Sequence, residues 1–393
     1  MKRKSVFRSR VVPVVSVLII VMAIGLAAEE CTTGLAAPRA TANQRALLWK
    51  NRDSSFEKNE VTFLRSRSVS YLGIINADDT TQIWAGVNSH GFAIMNAEAL
   101  DMAVPGEETQ YDDEGYLMKT ALIWCSTADD FETMLKVTDP IGRKVTSNFG
   151  VIDSTGRAAF FEVGNREYFR FDADKVDKTY LIRANFTFNA RSSEGYGRHR
   201  YARAEEMFGL ARINNHLTAR YVVENVANDI FLADTLIKRK EIPAGIHKTA
   251  DTINRFRTVA SAVFEGVQPG EDPRLTTFWI TLGEPIVSVS IPLWTYAGCV
   301  PDLLDGNGDA PLNREFRRLK ALVYPDTLNA SHLDTQQTLS IRESINSTQA
   351  KIFKQTEKKL TAWRKNPPTA IEVADFQKKM AEMAFRAARK IRK

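Results

Sequence analysis

Histidine is scarce in this chain, and cysteine scarcer. The five histidines among 393 residues stand at 90, 199, 216, 247 and 332. No two have the i, i+4 spacing that puts a pair of metal ligands on one helix face. Three cysteines, Cys31, Cys125 and Cys299, cannot build a disulfide framework and show no Cys-x-x-Cys pairing for zinc. With Cys31 set aside for chemistry, Cys125 and Cys299 either pair in an oxidising compartment or stay as thiols. There is no Gly-x-Ser-x-Gly elbow, no phosphate-binding loop, no dinucleotide glycine fingerprint and no internal repeat. Asp305-Gly-Asn-Gly-Asp309 looks like half a calcium loop, but the closing Glu is missing, so it reads as a turn. These absences leave no cofactor or metal to expect.

Charge is unevenly spread. Lys and Arg number 53 against 47 Asp and Glu, a net +6. The first 28 residues hold five basic side chains and no acidic one, and residues 311–393 hold 18 basic against 8 acidic. The stretch between is therefore acidic, and no nucleic-acid partner is expected for it. A solvated helical face is the simpler reading of the basic tail; contact with an anionic surface, or self-association into a homo-oligomer, is the other. At the opposite end, Lys2, Arg3, Lys4, Arg8 and Arg10 precede an apolar run over 11–26 that closes on Ala27-Ala28. That is the pattern of an export signal, so a periplasmic or secreted protein is expected. An uncleaved anchor and lipidation of Cys31 compete with it. Glu29 and Glu30, large and charged before the cysteine, argue against lipidation.

The rest divides into a β-rich body and a helical end. Strands are expected at 45–53, 68–76, 82–96 (with a turn at Asn88-Ser-His-Gly91), 179–188 and 275–294 about Gly283. Residues 149–163 read as a hairpin closed by Asp-Ser-Thr-Gly. Helical periodicity runs over 115–139, with Leu117, Ala121, Trp124 and Cys125 on one face, and over 198–212. Residues 218–264 read as helical pieces between polar loops. Helices follow at 313–323, 331–365 and 370–392, the last capped by Thr369 with Glu372 and striped by Phe376, Met380, Met383, Ala387 and Ile391. The expected organisation is a signal and short propeptide (1–30), a catalytic domain (31–300) and a basic helical region (301–393).

What remains for chemistry is Cys31. A cysteine exposed as the first residue carries its own base, because the thiol attacks while the α-amine takes the proton. It needs a charged neighbour to orient the amine and donors where an oxyanion forms. Cys31-Thr-Thr-Gly, Lys50-Asn-Arg-Asp53, Asn88-x-x-Gly-Phe-Ala-x-x-Asn96, Ala184-Asn185 and Asn254-Arg-Phe-Arg257 stand in that order. In this the chain resembles the N-terminal-nucleophile hydrolases of linear amides: choloylglycine hydrolases, penicillin V acylases, acid-ceramidase-like amidases and acyltransferases acting on 6-aminopenicillanate. The resemblance covers residues 31–295.

It implies an α+β fold, a four-layer αββα sandwich, here with a C-terminal helical extension. It also implies an amidase that cleaves an N-acyl amine or N-acyl amino acid through a thioester. Cys31 would be the nucleophile, Asp53 would hold its α-amine, Asn96 and Asn185 would face the oxyanion, and Arg255 would complete the set. Lys50 stands where the family commonly has Arg, keeping the charge and losing the planar fork. Arg52 is expected to face away from Lys50 and not to replace it. Asn254 stands where the family usually has Ser. An acyltransferase, or an inactive secreted binding protein of the same fold, are the alternatives. Trp49, Trp84, Phe92 and Phe186 are available for an acyl pocket, though core packing is the commoner fate of such side chains.

Overall fold

The structure, a computed structural model, describes residues 30–104, 113–233, 245–325 and 331–392. The export signal expected over 1–28 lies outside them. The strands are β1 (Thr32–Ala36), β2 (Leu47–Asp53), β3 (Asn59–Ser66), β4 (Val69–Asn76), β5 (Ala85–Asn88), β6 (Ala93–Glu98), β7 (Ser147–Ile152), β8 (Ala158–Val163), β9 (Tyr168–Asp172), β10 (Tyr180–Arg183), β11 (Ile246–Lys248), β12 (Thr258–Glu265), β13 (Thr277–Leu282), β14 (Ile291–Leu293) and β15 (His332–Asp334). They form a six-stranded sheet in the order β10-β1-β2-β12-β13-β14 and a seven-stranded sheet running β3 to β9 in sequence, with β11 and β15 as a separate pair.

All pairings are antiparallel, and the two large sheets stack through β1 and β2 against β6 and β7. Helices α1 (Glu114–Trp124) and α2 (Ala128–Thr138) cover the outer face of the seven-stranded sheet. Phe131 of α2 sits among Phe92, Phe149 and Phe161 there. The outer face of the six-stranded sheet is covered by α3 (Arg198–Ile213) and α4 (Ala219–Tyr221, continuing as a π-helical turn over Val222–Val226). Beside these lie α5 (Pro311–Val323), α6 (Thr335–Trp363) and α7 (Ala370–Lys390). The result is the αββα sandwich. No helix among the described residues is long and apolar enough to cross a membrane.

Because both sheets are covered on both faces, their central strands lose the polar alternation that marks a half-exposed strand. β12 (TVASAVFE) is buried along all but its last residue and lies between β2 and β13. It belongs to the stretch expected to be helical pieces and loops. β3 and β9 were likewise not expected from the pattern. The 115–139 helix is two helices: Thr127 accepts from the Asp130 N–H in a capping box and starts α2 afresh. Trp124 is not on the buried face; it is 57% exposed, with the Arg67 guanidinium stacked 3.8 Å from its ring.

The helical end is built into the core. Phe353 of α6 lies 4.3 Å from Trp279, and Trp294 meets Trp363 edge-on at 5.3 Å and Phe376 at 6.0 Å. The Gln377 amide donates to Cys299 O at 2.8 Å. The buried face of α7 is Val373, Phe376, Met380, Ala384 and Ala388; the expected stripe members Met383 and Ala387 flank it, half-buried. No cysteine is in a disulfide: Cys125 is a buried thiol and Cys299 an exposed one.

Candidate functional site

Cys31 is fully buried at the entrance to β1, an interior strand held by β10 on one side and β2 on the other. Gly34 makes that seat possible. A Cβ there would meet Ile182 Cδ1 at 2.7 Å and Phe208 Cζ at 3.1 Å, so only glycine lets α3 press Phe208 onto Trp49 behind the strand.

Cross-strand partners share a face, and residues two apart share it too. Thr33 pairs with Lys50 and Thr32 with Asn51. One step further, Cys31 falls beside Arg52 and diagonal to Lys50, on the face toward the other sheet. Lys50 is fully buried there, and its Nζ donates to Asn96 Oδ1 at 2.5 Å and to Trp84 O at 3.0 Å. Asn96 Nδ2 reaches Ser147 Oγ at 3.3 Å. Arg52 lies on the same face as Lys50, contrary to expectation, because the two are i and i+2 on one strand. Its guanidinium bonds Asn59 and Asn76 at the open end of the β3–β4 hairpin and lies 4.8 Å from the Trp84 ring.

On the helix side, Asp53 ends β2 fully buried. Its Oδ2 accepts from Arg255 Nε at 2.7 Å and its Oδ1 from Thr258 Oγ1 at 2.6 Å, while its backbone O accepts from Glu30 N at 3.2 Å. Arg255 also donates through Nη1 to Ala250 O (2.9 Å) and through Nη2 to Glu30 O (3.2 Å), and it pairs with the Glu30 carboxylate. Burial lowers the Arg255 pKa, but the charges of Asp53 and Glu30 outweigh it and hold the guanidinium above its ordinary value.

Asn185 follows β10, pinned by Asn148, whose Nδ2 donates to Ala184 O and Phe186 O, both at 3.0 Å. The Asn185 Nδ2 donates to Glu98 O at 2.9 Å, and its Oδ1 accepts from Arg200 Nη2 at 3.1 Å. Arg200, buried on α3, is the residue that sequence reasoning passed over. Its Nη1 donates to Cys31 O at 2.7 Å, to Thr32 Oγ1 at 2.9 Å and to Glu30 O at 3.5 Å. Nothing in the Arg-rich helix marks Arg200 and Arg203 as its buried arginines. Tyr196, paired with Asn185 through the backbone, was passed over as well. Its hydroxyl is buried without a hydrogen-bond partner among the described residues, and its phenol is raised first by burial and then by the charges of Glu98, Glu30 and Cys31.

Arg255 and Arg200 thus meet on one carbonyl, Glu30 O. Asp53, Arg255, Glu30, Cys31, Arg200 and Asn185 form a single network, with Lys50 and Asn96 a second pair on the other side of β1 and β2. Of the six expected residues, Cys31, Asp53, Asn185 and Arg255 belong to the first group and Lys50 and Asn96 to the second. A cavity of about 270 Å³ opens beside them, lined by Glu30, Arg255, Phe256, Arg257, Ala250 and Ser331. Trp49, Trp84, Phe92 and Phe186 are all buried in packing. No group of three or more His, Cys, Asp or Glu side chains among the described residues is placed to hold a metal ion.

No protein-family model matches the chain, and no curated protein matches it by sequence. Solved structures do resemble it. A conjugated bile acid hydrolase variant from Clostridium perfringens is 12% identical, covering 64% of this chain and 89% of that one, with a TM-score of 0.39. An N-acylethanolamine-hydrolyzing acid amidase ortholog from Caenorhabditis elegans is 13% identical over 62% and 93%, with a TM-score of 0.41. Penicillin V acylase from Agrobacterium tumefaciens is 11% identical over 67% and 86%, with a TM-score of 0.42.

Proposed function

We propose that the chain is an exported amidase of the N-terminal-nucleophile type, hydrolysing a linear N-acyl amide through a thioester on Cys31. The observation that carries this is the grip on the Glu30–Cys31 peptide: Asp53 and Arg255 hold Glu30, while Arg200 holds the carbonyls on both sides of Cys31. Removal of the chain through Glu30 leaves the new α-amine of Cys31 beside the Asp53 carboxylate, which orients it as a base. That removal also takes away the Glu30 wall of the cavity beside Arg255.

In the forward reaction the amine accepts the thiol proton and Sγ attacks the amide carbon. The tetrahedral oxyanion takes hydrogen bonds from the Asn185 side, where Arg200 and Glu98 O fix the carboxamide. The α-ammonium returns its proton to the leaving nitrogen as the C–N bond breaks, leaving the acyl group on sulfur. Water, deprotonated by the same amine, attacks the thioester; the acid leaves and the thiol regains its proton. Lys50, buried with only neutral oxygen partners, supplies positive charge on the thiol face of β1 and β2. Lys in place of Arg costs a bidentate contact and keeps the charge.

The test is a panel of N-acyl amines, N-acyl amino acids and acylated 6-aminopenicillanate, offered to the mature protein and to Cys31→Ala. Released amine from at least one of them, absent in Cys31→Ala, is expected. Release that survives in Cys31→Ala would refute the assignment. Acyl transfer to added hydroxylamine, measured against free acid, separates a hydrolase from an acyltransferase.

A further inference from the structure

The buried charges on the helix side of Cys31 balance only while Glu30 is attached. Arg255 is 8% exposed and Arg200 2%, and both reach Glu30 O, in one network with the fully buried Asp53 and the Glu30 carboxylate. Two guanidiniums are thus set against two carboxylates. Asp53 stays with the mature chain and Glu30 does not. Removal of the chain through Glu30 leaves one buried positive charge without its counterpart, and such a charge is costly until it is paired again.

The excess falls on Arg255. Its Nε keeps Asp53 Oδ2 at 2.7 Å and its Nη1 keeps Ala250 O at 2.9 Å. Both acceptors of Nη2, the backbone O and the carboxylate of Glu30, leave together. Arg200, by contrast, retains Cys31 O, Thr32 Oγ1 and Asn185 Oδ1. Arg255 lines the cavity of about 270 Å³ that Glu30 walls. Among the described residues Glu30 is the one carboxylate in that lining, and Arg257 is a second arginine in it.

Glu30 is also the acyl half of the amide at Cys31. Its carboxylate stands the length of a glutaryl chain from the carbonyl carbon. An acyl group that carries a carboxylate at the same separation returns to Nη2 the partner it has lost. Resting on the amidase reading above, we propose that the substrate is an amide of a short dicarboxylic acid, of glutaryl length, whose free carboxylate pairs with Arg255 in the place that Glu30 holds before maturation. A guanidinium edge takes a carboxylate through charge-assisted hydrogen bonds. A cavity of about 270 Å³, enlarged by the departed Glu30 side chain, lies at the small end of ligand pockets and suits a short acyl group.

The test offers the mature protein the p-nitroanilides of glutaryl, of its neutral half-amide 4-carbamoylbutanoyl, and of succinyl, one methylene shorter. Glutaryl is expected to be cleaved fastest, with kcat/KM about tenfold or more above the carbamoyl compound. Arg255→Lys should bring those two rates within about threefold of each other, and the ratio cancels whatever catalysis the variant loses. Glutarate should also raise the unfolding temperature of the mature protein and not that of chain retaining Glu30, whereas neutral glutaramide should move neither. This binding measurement decides the matter if Arg255→Lys does not fold or if no anilide is turned over; an absence of turnover counts against the amidase reading and not against the carboxylate site. The proposal is overturned by a carbamoyl or succinyl compound cleaved as fast as glutaryl, by a ratio unchanged in Arg255→Lys, or by glutarate acting alike on the two forms of the chain.

Discussion

Glu284 sits at the base of the six-stranded sheet with no exposed surface, and it should make the protein less stable as the solution turns alkaline. Its Oε1 accepts from Asn254 Nδ2 and from the Tyr324 hydroxyl, both at 2.6 Å, and its Oε2 is buried with no partner among the described residues. Burial pushes the carboxyl up from 4.5 to about 7; Lys320, Tyr324 and Asn254 pull it back only in part, and Asp53 adds to the rise. The folded state then keeps its proton over a range where the unfolded state has lost it. The stabilisation is full below about 4.5 and declines as pH rises to about 7. Integrated between pH 5 and pH 8, the loss from this one group is roughly 2.5 kcal/mol. Glu284→Gln keeps the carbonyl that Asn254 and Tyr324 use and removes the titration. Urea unfolding of both proteins at pH 5, 6, 7 and 8 reads the difference. The variant should gain on the wild type by roughly 2 to 3 kcal/mol across that range. A difference that stays flat from pH 5 to pH 8 would refute the reasoning.

Asn185→Ala should cut turnover on the order of 10²–10³-fold with unfolding temperature little changed, since an oxyanion donor is lost; near-normal kcat would remove Asn185 from that role. Arg200→Met strips a buried charged donor from Cys31 O and Asn185 Oδ1, so kcat should fall about 10²-fold, and the same loss with any substrate of the panel is expected; a change in KM alone would contradict a positioning role. Trp294→Ala removes a fully buried ring that meets Trp363 and Phe376 and donates to Thr277 Oγ1 at 2.9 Å, and should cost roughly 3–5 kcal/mol by urea unfolding. A small loss would mean α6 and α7 are not joined to the sheet as described. Cys125, pushed up to about 12 by burial and then by Asp130, should resist alkylation at neutral pH, whereas exposed Cys299 should react. Peptide mapping after iodoacetamide decides it.

The sandwich was legible because short patterns carried it, and the same patterns single out the six candidate residues. Thr-Thr-Gly34 is a packing requirement, Lys50-x-x-Asp53 is the end of one strand, and Asn185 is the second residue past another. Where physics erased the pattern, reading failed. β12 is buried on both faces, so it shows no alternation and passed for helix and loop. Arg200 looks like any solvated helical arginine until α3 is laid across β1. Arg52 was placed on the wrong face of β2, an error of parity that the Thr33–Lys50 register corrects. The buried face of α7 widened because α5, α6 and β14 all press on it, and no single stripe describes three neighbours.

The proposed chemistry requires that Cys31 become the first residue and attack. Protein exported by its own leader, in a Cys299→Ser background, would be weighed intact before and after mild iodoacetamide and then assayed for amide release. The expected result is a chain beginning at Cys31 that gains one carbamidomethyl group and loses its amidase activity in the same step. A folded chain beginning upstream of Cys31 that cleaves amides equally well after alkylation would contradict it, as would a lipid mass on Cys31.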